Sequence, residues 1–182
     1  MRVSIIMSLN EQENACGQLN IVLIGMPGCG KTTIGGIISE MSGMPLIDID
    51  TEVENSTGVT VQQLIAEYGE KYFRKLESTE TVKAGKLSGV IIATGGGVVK
   101  NSENLDALAE NGRIYYLRRS LSELSILGRP LSKDRDTVLQ LYKERNLLYL
   151  KFCDCIAQEG EPISGAESIW SDFKKYRGRT NK

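Results

Sequence analysis

The sequence contains no histidine. That removes the commonest general base, the usual zinc ligand and every serine–histidine or cysteine–histidine nucleophilic scheme. Carboxylates, lysine, arginine and backbone amides are left to carry any chemistry. Cysteine is scarce, four in 182 residues. That is too few for a disulfide framework and points to a reducing, cytoplasmic compartment. Cys153 and Cys155 form a Cys-x-Cys pair, but no second cluster completes a four-ligand metal site. The pair is expected to alternate along a short strand with one side chain buried. No apolar run approaches the ~20 residues of a membrane span, and the opening stretch lacks a small-residue cleavage site, so neither a membrane protein nor a signal peptide is expected. An excess of one charge is also missing. A net charge of −1 gives no electrostatic footprint for nucleic acid or an anionic membrane. An anionic substrate must then be held by a few local arginines.

What remains is ordinary for a soluble protein, with 41% hydrophobic and 25% charged residues. The length suits one domain able to bury a core without disulfides. Residues 1–18 read as a tail or linker, 19–177 as the domain and 178–182 as a second tail, and a monomer is expected. Short apolar runs predict strands at 20–25, 46–49, 90–94, 113–117 and 155–157. Helical spacing with capping signals predicts helices at 31–41, 61–68, 72–87, 105–111, 120–127, 134–150 and 166–175. Alternating strands and helices, with strands that are nearly all apolar, give an α/β fold: a parallel five-stranded sheet covered by helices on both faces. Ligands in such sheets bind at the carboxyl ends of the strands. Polar punctuation gathers at three of those ends, at Gly25 onward, at Asp48 and Asp50, and at Gly95 to Gly97.

Gly25-Met26-Pro27-Gly28-Cys29-Gly30-Lys31-Thr32 matches G-x-x-x-x-G-K-[ST] in full, after a predicted strand and opening a predicted helix. Backbone amides must point inward at phosphates there, so glycines stand where the chain turns and approaches the ligand. Gly28, Cys29, Gly30, Lys31, Thr32 and Thr33 are the expected nucleotide contacts. Lys31 should reach the β- and γ-phosphates, and the Thr32 hydroxyl should ligate Mg²⁺. The fold class is therefore of the P-loop NTPase type. No N-K-x-D-like segment is present to read guanine, which favours ATP. Cys29 is expected simply to be tolerated in the loop as a small residue.

Asp48-Ile49-Asp50 ends the second strand, and alternation would put both carboxylates on the same side. A metal ion with a substrate hydroxyl would relieve their repulsion. A strand end with solvated acids, or a helix N-cap at Asp50 or Thr51 ahead of Glu54, is the competing reading. On the helix at 134–150, Val138, Leu141, Tyr142, Arg145 and Tyr149 recur at three- and four-residue steps. Arg145 thus shares a stripe with apolar and aromatic residues and needs an anion, either a core carboxylate, which is the commoner case, or a ligand. Arg129 stands on a loop where it could swing over the phosphates, or simply face water.

Taken in order, the phosphate loop, Asp-x-Asp, Phe73-Arg74-x-x-Glu77, Gly95-Gly96-Gly97, Gly128-Arg129-Pro130-Leu131 and Arg145 resemble shikimate kinase, from about Ile21 to Ile156. The resemblance implies that ATP phosphorylates a hydroxyl of shikimate, giving shikimate 3-phosphate. It implies Asp50 as the base and hydroxyl ligand, with Arg74 and Arg145 on the shikimate carboxylate. A backbone amide of Gly96 would meet the ligand, and Arg129 would act from a mobile lid with Lys31. Asp48 would orient Mg²⁺ through water. Members with a longer lid carry a further arginine just upstream of the R-P-L segment, near adenine. Here Leu124-Ser125-Ile126-Leu127-Gly128 has none, and looser base selectivity follows. The rival readings are another small-molecule kinase such as gluconate kinase, a nucleoside monophosphate kinase, and a nucleotide-dependent metabolite sensor without turnover.

Overall fold

Strand β1, Asn20–Ile24, is buried at every position, as a strand with neighbours on both edges and helices on both faces must be. The computed structural model describes residues 19–122, 124, 135–157 and 160–180. β1 is followed by α1 (Lys31–Ser42), β2 (Leu46–Asp48), α2 (Ile49–Thr57), α3 (Val61–Tyr68) and α4 (Glu70–Gly85). Then come β3 (Ile91–Ala93), a 3₁₀ turn (Val98–Lys100), α5 (Ser102–Ala109), β4 (Gly112–Leu117), α6 (Arg135–Phe152), β5 (Cys155–Ala157) and α7 (Pro162–Thr180). The five strands form one sheet in the order β2-β3-β1-β4-β5, and every pairing is parallel. Ile21 registers with Ile91 on one side of β1 and with Arg113 on the other.

From β1 the chain first builds β2 and β3 on one side, then β4 and β5 on the other. The carboxyl end of β1 is thus the switch point where a parallel α/β sheet opens a crevice. The main core packs β1, β3 and β4 against α1, α5, α6 and α7, with Ile21, Leu23, Ile92 and Tyr115 among its fully buried side chains. A satellite core of Val53, Leu64 and Phe73 joins α2, α3 and α4 into a separate helical layer. That layer carries Asp50 and Arg74, and it is fastened to the main core by Ile49 of α2 and Ala84 of α4.

Several expected elements change at their ends. Helix α2 was only the competing reading of the Asp48-Ile49-Asp50 stretch, and it begins earlier than that reading placed it. In the fold, the Asp48 carboxylate accepts from the backbone N–H groups of Asp50 at 3.1 Å and Thr51 at 3.3 Å. The strand therefore stops at Asp48, the N-cap is Asp48 rather than Asp50 or Thr51, and Asp50 lies in the first helical turn. The two acids do not alternate along one strand. Cys153 likewise follows the end of α6 and only Cys155 lies in β5; both thiols are half-buried. Residues 120–122 are not helical, and the rest of the expected helix, Leu124 apart, lies outside the described residues. Helix α7 runs through Thr180, past the expected domain end at 177.

Candidate active site

Gly30 caps α1 in the left-handed region, with φ 95° and ψ 21°, where a side chain would be strained. That turn lets the chain leave β1 and enter α1 within six residues. The first N–H groups of α1 and its positive dipole end then meet the switch point, an arrangement that attracts phosphate. Lys31 is buried, and its ammonium donates to the carbonyl oxygens of Gly25 and Met26, both at 3.0 Å. The cation is thus held over the loop by the loop's own backbone. Cys29 is more than tolerated: it is buried in the core, and its sulfur stands 3.7 Å from the Lys31 ammonium.

Thr32 donates its hydroxyl to Asp48 Oδ2 at 2.6 Å. Residues sixteen positions apart in sequence thus bring a hydroxyl and a carboxylate together beside the phosphate loop. Hard oxygen donors of this kind fit Mg²⁺, which takes one or two protein oxygens and completes its shell with water and phosphate. Asp48 has a double duty, since Oδ1 caps α2 while Oδ2 meets Thr32. Two residues further on, in the first turn of α2, the Asp50 carboxylate lies against Gly95 just past the end of β3. The ends of β1, β2 and β3 therefore do converge.

The Gly95–Gly97 turn is the hub of the acceptor side. The Glu77 carboxylate also closes over Gly95, and the Arg74 guanidinium packs against Gly97; a side chain at either position would overlap them. Arg74 is gripped from both sides. Its Nη1 donates to Glu77 Oε2 at 2.7 Å, and its Nε and Nη2 both donate to Glu70 Oε1 at 3.1 and 3.0 Å. Burial works against the Arg74 charge, but Glu77 and Glu70 outweigh it and hold its pKa above the ordinary arginine value. Glu77 is 1% exposed and its Oε1 has no hydrogen-bond partner among the described residues. Neither glutamate was assigned a role from sequence, although Glu77 belongs to the F-R-x-x-E run. Their spacing from Arg74, three and four residues on one helix, was the available signal.

Arg145 faces inward with Val138 and Tyr149, as the stripe on α6 requires, and is 2% exposed. The core carboxylate expected as its commoner partner is not what it meets. Nη1 donates to the Gly96 carbonyl at 3.0 Å, while Nε has no hydrogen-bond partner among the described residues. Glu144 Oε2 stands 3.9 Å from Nε, beyond hydrogen-bond reach. The buried Nε is thus left without a hydrogen-bond acceptor, its nearest carboxylate being the half-exposed Glu144 at ion-pair distance only, a costly arrangement unless a ligand supplies an acceptor. Tyr149 donates to the same Gly96 carbonyl at 2.5 Å, and the α-carbon of Gly96 packs on Pro27 of the phosphate loop. Gly96 therefore touches both halves of the site.

A groove of about 980 Å³ runs between α4 and the 3₁₀ turn, with Arg74, Glu77 and Gly97 on its wall. Asp50, Arg145 and the phosphate loop do not line it, so it adjoins the convergence of strand ends without containing it. Arg129, with the rest of Gly128-Arg129-Pro130-Leu131, lies outside the described residues.

Comparison with known proteins agrees with this geometry. The family model described as shikimate kinase matches residues 27–173. A shikimate kinase of Clostridium botulinum (strain Eklund 17B) is 42% identical over 160 residues, covering 85% of this chain and 94% of that protein. The structure of a shikimate kinase from Acinetobacter baumannii in complex with shikimate superposes with a TM-score of 0.82 at 26% identity, covering 87% of this chain and 94% of that one. A gluconokinase from Sinorhizobium meliloti reaches a TM-score of 0.56 at 12% identity, covering 91% and 98%, which is a likeness of fold alone.

Proposed function

This chain belongs to the shikimate kinase family, and from that premise we propose how its own residues move the γ-phosphate of ATP to a hydroxyl of shikimate, giving shikimate 3-phosphate. The observation that carries the reading is Arg145, buried beside the Gly95–Gly97 turn with an Nε–H that has no hydrogen-bond acceptor among the described residues. A carboxylate on the acceptor would supply it. Gluconate also bears one, but Arg74, Arg145 and the glycine turn stand in an order that resembles shikimate kinase.

In this reading the backbone from Gly28 to Thr33 cradles the phosphates, and Lys31 exchanges the carbonyls of Gly25 and Met26 for phosphate oxygens. Thr32 and Asp48 would hold Mg²⁺, Asp48 through water; the ion would neutralise charge on the β- and γ-phosphates. Asp50 accepts hydrogen bonds from the acceptor hydroxyls and takes the proton of the attacking one. Arg145 and Arg74 hold the acceptor carboxylate, and a Gly96 amide contacts the ligand. For Arg74 this requires the substrate carboxylate to displace Glu70, which is 40% exposed and occupies the Nε–Nη2 edge. The Glu77 contact, fully buried, remains and keeps the guanidinium in plane. Arg129 closes over the phosphates and stabilises charge on the transferring group. Residues 19–177 act as one kinase domain, and the enzyme works as a cytoplasmic monomer. No helix among the described residues is long and apolar enough to cross a membrane. Phosphoryl transfer asks mainly for positioning and charge stabilisation, and a site without histidine supplies both.

A coupled ADP-release assay across shikimate, gluconate and nucleoside monophosphates tests the substrate. Turnover should be confined to shikimate. A higher kcat/KM with gluconate would overturn the assignment, and ATP binding with no turnover on any acceptor would make the protein a sensor.

Arg145→Ala should weaken shikimate binding by about 2–5 kcal/mol, the scale for removing one partner of a desolvated ion pair. Because the carboxylate at ion-pair distance, Glu144, is half-exposed and also pairs with Lys100, the melting temperature of the free protein should fall little. Calorimetric titration beside a melting curve separates the two effects. A large loss of stability with unchanged shikimate affinity would restore a structural role.

A further inference from the structure

We infer that Tyr149 is a positioning residue for the acceptor: its hydroxyl, by fixing the Gly96 carbonyl, sets the direction in which Arg145 offers the Nε–H that has no acceptor among the described residues. The inference rests on the shikimate kinase reading and adds to it a residue outside the substrate contacts. A carbonyl oxygen has two lone pairs, and both are used here, one by Arg145 Nη1 at 3.0 Å and one by the Tyr149 hydroxyl at 2.5 Å. The two donors stand four residues apart on α6 and so lie one turn from each other on the same face.

One hydrogen bond from Nη1 would leave the guanidinium free to pivot about that contact. Pinning the acceptor from a second point removes the freedom, and the rigid plane of Arg145 then presents its remaining donors in one direction. Gly96 has no side chain with which to lock itself, and a Cβ there would overlap Pro27. The carbonyl is the available handle. The phenol itself is held in place. Its ring is fully buried and stacks on Tyr116 with centroids 5.0 Å apart and planes 23° apart. Tyr116 in turn donates to Asn146 Oδ1 at 2.9 Å, next to Arg145 on α6. Burial raises the Tyr149 pKa, so the hydroxyl stays a donor throughout the working range.

Tyr149→Phe removes the hydroxyl and keeps the ring. Its KM for shikimate should rise about tenfold, the scale of one buried hydrogen bond to a polar group left under-satisfied. Its KM for ATP and its kcat should stay within about twofold. Arg145→Lys keeps the charge but not the planar fork. In that background Tyr149→Phe should change kcat/KM for shikimate by less than about twofold, because the residue it acts through is already gone. A lowered melting temperature with an unchanged shikimate KM would overturn the proposal, as would an equal penalty in the Arg145→Lys background or a matching rise in the KM for ATP. A wild type that fails to phosphorylate shikimate would overturn the functional reading and this proposal with it. A wild type that works beside an unaffected variant overturns the proposal alone.

Discussion

Lys31→Ala is expected to lower kcat by about three orders of magnitude or more, measured as ADP release at saturating ATP, Mg²⁺ and shikimate. The lysine is a fixed charge at the switch point, and in the proposed mechanism its interaction with the β- and γ-phosphates would strengthen as the bridging bond breaks. Interactions that grow toward the transition state appear in kcat rather than in binding alone. The buried position of Lys31 raises the effect, because a cation in a partly desolvated site acts with less screening than one in water. Removing it also leaves the carbonyls of Gly25 and Met26 without this donor. The loop should then loosen, and the melting temperature of the free protein should drop by a few degrees. The two consequences are separable, since loosening alone would be offset by saturating nucleotide and loss of the charge would not. Near-normal turnover in the folded variant would overturn the kinase assignment itself.

The nucleotide half of this site was legible in the sequence because its determinants are local. Eight consecutive residues impose the turn, supply the amides and open the helix, and the strand before them is apolar throughout. The acceptor half is assembled across distance, and legibility fell accordingly. The stripe on α6 correctly turned Arg145 inward, but no periodicity could say that it would meet the Gly96 carbonyl forty-nine residues away. Tyr149 was visible in the same stripe as one more large buried ring. Its hydroxyl acquired a meaning only when the glycine turn was placed beneath it. Asp48 and Asp50 show a different failure. A period-two reading treated them as alike, whereas a capping preference divided them between a strand end and a helix. Short polar residues at a strand end satisfy both patterns, and the helix won because its first amides needed an acceptor. Glu70 fell between the helices expected at 61–68 and 72–87, whereas α4 begins at Glu70 and sets it four residues before Arg74 on one helix.

Helix α2 bears on how the acceptor layer works. Asp50 and Arg74 belong to helices whose small core, Val53, Leu64 and Phe73, is distinct from the main one. Asp48 ties that layer to the phosphate loop through Thr32, and Gly95 ties it to the sheet through Asp50 and Glu77. Asp50 and Arg74 thus have an anchorage at each end of their layer, one leading to the phosphate loop and one to the glycine turn. A substitution at Asp48 or Asp50 therefore tests a chemical role only when its control distinguishes the two anchors.

Asp50→Asn keeps the size of the side chain and some of its hydrogen bonding while removing the charge that would receive the hydroxyl proton. If Asp50 acts as the base, the loss should fall mainly on kcat, by roughly two to four orders of magnitude, with ATP binding intact. If it only orients the acceptor hydroxyls, the KM for shikimate should rise and kcat should change modestly. The loose transition state of phosphoryl transfer makes the second outcome physically reasonable, since proton removal can come late and contribute little. Asp48→Asn is the control. Asp48 meets the Thr32 hydroxyl beside the phosphate loop, so its variant should lose activity in a way that added Mg²⁺ restores in part. Asp50 sits over Gly95, and its variant should be indifferent to Mg²⁺ concentration. Because Oδ1 of Asp48 also caps α2, Asp48→Asn, which retains an acceptor oxygen for the cap, should cost only a few tenths of a kcal/mol in stability. Kinetics at several Mg²⁺ concentrations, with melting curves for both variants, resolve these cases. Rescue of Asp50→Asn by extra Mg²⁺ would mean that the two carboxylates have exchanged roles, with Asp50 serving the metal and Asp48 the acceptor.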